Sequence, residues 1–154
     1  MAKFYVADNP IEAGTVIYVD GSFGENGGDN YGWGMAVYQN GTLRVKIGGP
    51  GIHPEFRNQR NVAGEVTAAV CAVKWAMQHG IKEFTLCYDY EGVGKWAQGQ
   101  WKAKNLMTQA YAKFMQSHAK DVHITYNWIK GHAGTEGNEL ADKLAKKGAA
   151  IKIK

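Results

Sequence analysis

The stretch VIYVDGSFGENGG, residues 16–28, governs how the rest of the chain is read. Val16, Ile17, Tyr18 and Val19 form a short apolar run of the kind that predicts a buried β-strand. The run ends on an acid, Asp20, and Gly21-Ser22 and a glycine-rich loop follow it. Asp-Gly is a strong hairpin signal, so one reading of Asp20-Gly21 is a turn. The other reading is a metal ligand held at the rigid end of a sheet. The remainder of the sequence has to choose between them.

The next two segments alternate with a period of two. In YGWGMAVYQ, residues 31–39, Trp33, Met35 and Val37 share one face and Gly32, Gly34 and Ala36 the other. In TLRVKIG, residues 42–48, Leu43, Val45 and Ile47 are in phase, and Asn40-Gly41 between the two segments is a two-residue hairpin turn. Residues 15–48 therefore predict three antiparallel strands. The period changes in residues 61–79, where Val62, Val66, Ala69, Val73 and Ala76 recur at steps of four and three, an amphipathic helix that Gly80 stops. KEFTLCYD, residues 82–89, is a strand that again ends on an acid, Asp89. Helices are predicted at 92–98 and 103–118, a last strand at 122–130 and a last helix at 137–148.

This order predicts an α/β fold with a five-stranded mixed sheet and flanking helices. Three antiparallel strands come first, and helical crossovers make strands one, four and five parallel. Ligands of such sheets gather at the carboxyl ends of the parallel strands, where Asp20 and Asp89 both fall.

Composition narrows the class. The chain has 154 residues, 45% of them hydrophobic and 21% charged, which suits one soluble globular domain with a real core. No apolar run approaches the roughly 20 residues of a membrane span. The opening MAKFYVADNP lacks the basic and apolar regions of a secretory signal. Cys71 and Cys87 lie in apolar segments without metal-ligand spacing and read as reduced core thiols of a cytoplasmic protein. A net charge of +4 favours an anionic partner without naming it. Basic residues are densest toward the end, in KLAKKGAAIKIK.

Two further acids join Asp20 and Asp89. Glu65 lies on the edge of the helix stripe that faces the sheet, where an acid is costly unless something positive meets it. Asp142 sits in GNELADKLAKKG with Asn138, Ala141 and Ala145 on its side of the helix. Taken singly, Glu65 reads as a charge at the rim of a helix face and Asp142 as an exposed pair with Lys146. Taken together, four carboxylates aimed at one spot of a net-basic protein repel unless they bind cations. Hard oxygen ligands suit Mg²⁺ or Mn²⁺, and two such ions about 4 Å apart assist in-line attack on a phosphodiester.

The blocks YVDGSF, NVAGEVTAAV, LCYDYEGV and WIKGHAGTEGNELADKLA resemble, in order and spacing, the four acidic blocks of the type 1 ribonuclease H family. The likeness runs from about Thr15 to Gly148. It implies endonucleolytic hydrolysis of the RNA strand of an RNA–DNA hybrid, leaving 5′-phosphate and 3′-hydroxyl ends. It implies two Mg²⁺ ions, with Mn²⁺ as a substitute, held by Asp20, Glu65, Asp89 and Asp142. Asp20 would bridge both ions and Asp142 would serve the water-activating one, while Glu65 and Asp89 hold the ion at the leaving oxygen. His132, in a Gly-His-Ala-Gly loop, matches the family's mobile histidine and would assist the metals as a proton carrier.

For the substrate, the resemblance implies contacts from Asn26, Asn61, Asn138 and the backbone of Gly21 and Ser22. Helix capping is an equally good physical reading of Asn61. Val62 stands where many relatives carry a second amide. The family's lysine-rich handle is absent from DYEGVGKWAQGQWKAKN, residues 89–105. Trp96, Trp101 and Lys102, with Lys95 and Lys104, would replace it in part by meeting the sugars and phosphates of the DNA strand. Residues 1–14 read as an extension or linker remnant before a catalytic domain at 15–154, expected to act as a monomer. The alternatives are a DNA-directed nuclease of the same fold and an inactive hybrid-binding module.

Overall fold

The alternating segments near the start of the chain build an antiparallel meander, and the later strands extend it in parallel. The computed structural model describes residues 14–129 and 135–151. Strands β1 (Thr15–Phe23), β2 (Tyr31–Gln39), β3 (Thr42–Pro50), β4 (Glu83–Tyr88) and β5 (His123–Trp128) form one sheet in the order β3-β2-β1-β4-β5. The pairs β1–β2 and β2–β3 are antiparallel, and β1–β4 and β4–β5 are parallel, as the pattern predicted. Asn40 and Gly41 turn β2 into β3 with φ of 50° and 83°, the left-handed pair that a two-residue hairpin demands.

Two local expectations change. Asp20-Gly21 is not a turn and Asp20 does not end its strand. β1 runs on to Phe23, with Asp20 opposite Gly34 and Gly21 opposite Trp33, because β2 continues to pair with it. The chain reverses only beyond Gly24, whose N–H donates to the Asn30 carbonyl at 3.1 Å. The parallel ladder to β4, by contrast, stops at Tyr18–Cys87, so Asp20 projects past the point where β1 and β4 are joined. On the edge strand β3, a register shift at Val37/Tyr38 sets Leu43 opposite Tyr38, so Leu43 leaves the row of Val45 and Ile47. Leu43 and Ile47 are exposed.

Helices α1 (Asn61–Gln78) and α4 (Glu136–Ala150) cover opposite faces of the meander. The α1 face carries Ile17, Val19, Met35 and Val37, which bury against Ala63, Val66, Ala69, Val73 and Ala76. Gly21 lies on this face, and a Cβ there would fall 2.1 Å from the Asn61 carbonyl and 2.3 Å from the Glu65 N–H nitrogen. The glycine row Gly32 and Gly34 lies on the other face. A Cβ on Gly32 would stand 2.1 Å from the Ala149 nitrogen, and one on Gly34 2.4 Å from the Ala141 carbonyl. Bare backbone on the sheet, met by Ala141, Ala145 and Gly148 on the helix, lets α4 settle close against β2. That approach fixes the height of Asp142 above the sheet.

The remaining helices, α2 (Gly92–Ala97) and α3 (Leu106–Ser117), pack on each other beyond β4. α3 starts three residues later than the periodicity predicted because Asn105 caps it, its side chain accepting from the Thr108 N–H at 2.9 Å in a capping box. Among the described residues no helix is long and apolar enough to cross a membrane.

Gly34→Ala should force α4 off β2 at the level of Asp142. Overpacking of this kind costs about 1–3 kcal/mol, so a thermal melt should show Tm lower by about 3–10 °C. An unchanged Tm would show that the close approach is not needed.

Candidate active site

The carboxyl ends of β1 and β4 and the first turns of α1 meet in a notch where the β1–β4 ladder has ended. Asp20 enters it from β1, Asp89 from the residue after β4, and Glu65 from α1. Each of the three offers one carboxylate oxygen, and these oxygens all lie within 4.8 Å of one another. Glu65 does not sit at the rim of its helix as its place in the stripe predicted. It is completely buried, because Gly21 lets α1 drop onto β1 and carry the side chain under the sheet's edge. Its Oε2 accepts the backbone N–H groups of Asp89 at 2.8 Å and Tyr90 at 3.4 Å, which ties α1 to the end of β4. Asp20 Oδ1 accepts the Gly21 N–H at 2.8 Å.

The other oxygen of each buried acid finds no donor, only a neighbouring carboxylate, Asp142 beside Asp20 and Asp89 beside Glu65. Asp20 Oδ2 and Glu65 Oε1 are both buried without a hydrogen bond, and no ion pair reaches either residue among the described residues. Burial, then the charge of Asp89 and that of Asp142, push the Asp20 carboxyl up to about 8. Burial, then the charges of Asp89 and Asp20, hold Glu65 well above the usual carboxylate range. Orphan oxygens on crowded carboxylates fit a hard divalent cation, which would satisfy the lone pairs and cancel the repulsion together.

Asp142 approaches the same notch from α4, on the Asp20 side, close enough to add to the strain on that carboxyl. Its Oδ2 lies 3.2 Å from Lys146 Nζ, so the helix pair predicted from the spacing is present. Thr135 caps α4, accepting from the Asn138 N–H at 3.3 Å, and Asn138 is buried in the first turn.

The proposed substrate groups fall into separate places. Ser22 is buried, and its hydroxyl donates to Glu25 Oε2 at 3.0 Å. Asn26 is exposed in the following loop with φ of 55°. Asn61 is exposed beside Gly21 but is no cap: it is the first residue of α1, and Arg60 holds the cap position without a side-chain bond. Arg60 takes φ of 56° and lays its guanidinium over the Phe23 ring at 4.4 Å. Trp96 and Trp101 join Tyr90 in an aromatic cluster, with ring centroids 5.7–6.3 Å apart. Trp101 is exposed and Lys102 beside it is exposed too. His132 lies outside the described residues.

Sequence reasoning missed Trp128. Its indole N–H donates to the Asp89 carbonyl at 3.1 Å and so steadies the backbone that presents Asp89. The signal was there: Trp128 ends β5 opposite Tyr88, at the same carboxyl end of the parallel strands.

A family model described as RNase H matches residues 12–150. The ribonuclease H of Hyphomonas neptunium is 36% identical over 143 residues, which cover 86% of this chain and 89% of that protein. The RNase H1 of the halophilic archaeon Halobacterium salinarum superposes with a TM-score of 0.68 at 20% identity, covering 87% of this chain and 96% of that one. LC11-RNase H1, solved in complex with an RNA/DNA hybrid, gives a TM-score of 0.67 at 19% identity, covering 88% and 99%. The mixed sheet with acids at its parallel strand ends is thus that of the ribonuclease H-like hydrolases. The chain belongs to the type 1 ribonuclease H family.

The raised carboxyls make stability pH-dependent. Folded Asp20 and Glu65 hold protons that the unfolded chain has already released, so metal-free stability falls as pH rises from about 4 toward about 8. Asp20→Asn removes one source of that fall. In EDTA its Tm should exceed that of the wild type by several degrees at about pH 8 and differ little at about pH 4. A variant less stable than the wild type at about pH 8 would contradict this electrostatic account.

Proposed function

We propose that this ribonuclease H cuts the RNA strand of RNA–DNA hybrids, leaving 5′-phosphate and 3′-hydroxyl ends, with Mg²⁺ as its natural cofactor and Mn²⁺ as a substitute. The observation that carries the reading is the group of Asp20, Glu65 and Asp89 oxygens within 4.8 Å, two of them on buried acids with an orphan lone pair. When bound, a pair of divalent cations supplies nucleophile activation and neutralisation of the leaving oxygen. Asp20, Glu65, Asp89 and Asp142 would hold the pair, and Asp20, on which the charges of both Asp89 and Asp142 act, would serve both ions. Glu65 also locks the end of β4 through two backbone N–H groups, so the ligand set is held rigidly before any cation arrives. The catalytic unit is residues 15–154.

His132 is assigned the role of a proton carrier that speeds turnover. Recognition of RNA must come from ribose 2′-hydroxyls in the minor groove. Asn26, Asn61, Asn138 and the backbone of Gly21 and Ser22 are the groups assigned to that strand. Gly21 and Asn61 touch, so they form one surface. The exposed edge of the Tyr90–Trp96–Trp101 cluster and Lys102 are assigned to the DNA strand, where aromatic rings pack on sugars and lysines meet phosphates. This assignment also rests on the likeness of the fold to a relative whose structure holds an RNA/DNA hybrid.

Cleavage of a labelled hybrid, duplex DNA and duplex RNA in Mg²⁺ tests the proposal. Only the RNA strand of the hybrid should be cut, and Asp20→Asn should abolish the cut. Cleavage of duplex DNA, or hybrid binding without any cleavage, would favour the alternative readings.

His132→Ala should lower kcat by at most the ~10²–10⁴-fold usual for general acid–base help, with hybrid affinity nearly unchanged. A loss as complete as that of Asp20→Asn would give the histidine a larger part. Hybrid binding in Ca²⁺ across a salt series should show a shallow slope, because the basic handle is missing. A slope implying more than about six phosphate contacts would reveal a second basic surface.

A further inference from the structure

The fourth acid stands in a different electrostatic setting from the other three. Asp20, Glu65 and Asp89 bring oxygens within 4.8 Å of one another, and Asp142 is not part of that group. Instead its Oδ2 lies 3.2 Å from Lys146 Nζ, one helical turn along α4. Lys146 faces more than one carboxylate. Besides Asp142, the charges of Glu25 and Asp20 act on its ammonium from nearby. Glu25 is itself anchored by the Ser22 hydroxyl at 3.0 Å, so its charge stays on that side of the site. The ammonium thus stands where α4 meets the turn after β1, beside the acid that reaches Asp20 from α4.

We propose that Lys146 is a positioning residue that acts as a tethered counter-ion: it engages one oxygen of Asp142 beside Asp20 in the metal-free site, and that oxygen must leave the ammonium before Asp142 can serve a divalent cation. The ammonium and the incoming cation compete for one carboxylate, and they repel each other. Lys146 therefore raises the cation concentration needed to complete the site. It also steadies Asp142 beside Asp20 in the metal-free enzyme. An exposed ion pair of this kind shifts an equilibrium by about two- to fivefold. This inference rests on the reading of the acids as a cation site.

Calorimetric titration of the full chain with Mn²⁺, without nucleic acid, provides the test, because its readout is affinity and not turnover. Wild type is compared with Lys146→Met, Lys146→Gln, Lys146→Arg and Lys147→Met. The weaker (or sole) binding step should tighten by about two- to fivefold in Lys146→Met and Lys146→Gln, and stay near wild type in Lys146→Arg. Lys147→Met removes the same charge from an exposed site in the same helix and should change little. The midpoint of Mn²⁺-induced thermal stabilisation should move in the same order. Unchanged or weaker binding in both neutral Lys146 variants overturns the counter-ion role. So does an equal gain in Lys147→Met, since general charge would then explain it. A wild type that binds no Mn²⁺ overturns the acid-cluster reading and this inference together.

Discussion

Repulsion among carboxylates confined at the end of a sheet is the constraint around which this molecule is organised. Oxygens of Asp20, Glu65 and Asp89 lie within 4.8 Å of one another, and Glu65 is wholly buried. At such separations two unit charges repel by roughly 3–4 kcal/mol in an effective protein dielectric of about 20. The metal-free fold lessens the penalty by retaining protons, and two backbone N–H groups offset part of it at Glu65. A divalent cation bound there would remove it. Stability, cation affinity and chemistry are therefore set by the same few atoms.

Such a cluster persists only if the elements that carry it cannot move apart. Missing side chains provide that rigidity. Gly21 brings the backbone of α1 against β1 and drives Glu65 into the notch, while Gly32 and Gly34 admit α4 on the opposite face and set Asp142 beside Asp20. The two helices clamp the end of β1 from above and below. Trp128 adds a hold on Asp89 from the neighbouring strand. At the open end of β1 and β4, Gly21 lies against the Asn61 backbone.

Much of this was legible in the order of residues, because it depends on local periodicity. Alternation in 31–39 and 42–48, the change of period at 61 and the acids at strand ends lead to the sheet and to Asp20 and Asp89, whereas Glu65 and Asp142 join them only when the four acids are taken together and through the resemblance of the four acidic blocks. What escaped the reading depends on contacts between distant segments. Asp20-Gly21 has the chemistry of a turn, but the pairing of β2 keeps it extended. Glu65 has the spacing of a rim residue, and only the absence of a Cβ on Gly21 buries it. Asn61 has the chemistry of a cap, yet Arg60 occupies that position in a left-handed conformation backed by Phe23. Lys146 was visible as a helix partner of Asp142, whereas its nearness to Glu25 and Asp20 appears only once α4 lies on the glycine-lined face.

The central claim is that protonated, crowded carboxylates become cation ligands, and proton release on binding measures it directly. Mg²⁺ titration calorimetry at about pH 7 in buffers of differing ionisation enthalpy counts the protons expelled, since ligands must be deprotonated to bind. Asp20, with its carboxyl pushed up to about 8, should release most of a proton per site filled, Glu65, held high by burial, should add to it, and the Asp20 share should fall as pH rises beyond about 8. Binding with no proton release at about pH 7 would show that these acids are already ionised and would contradict the account.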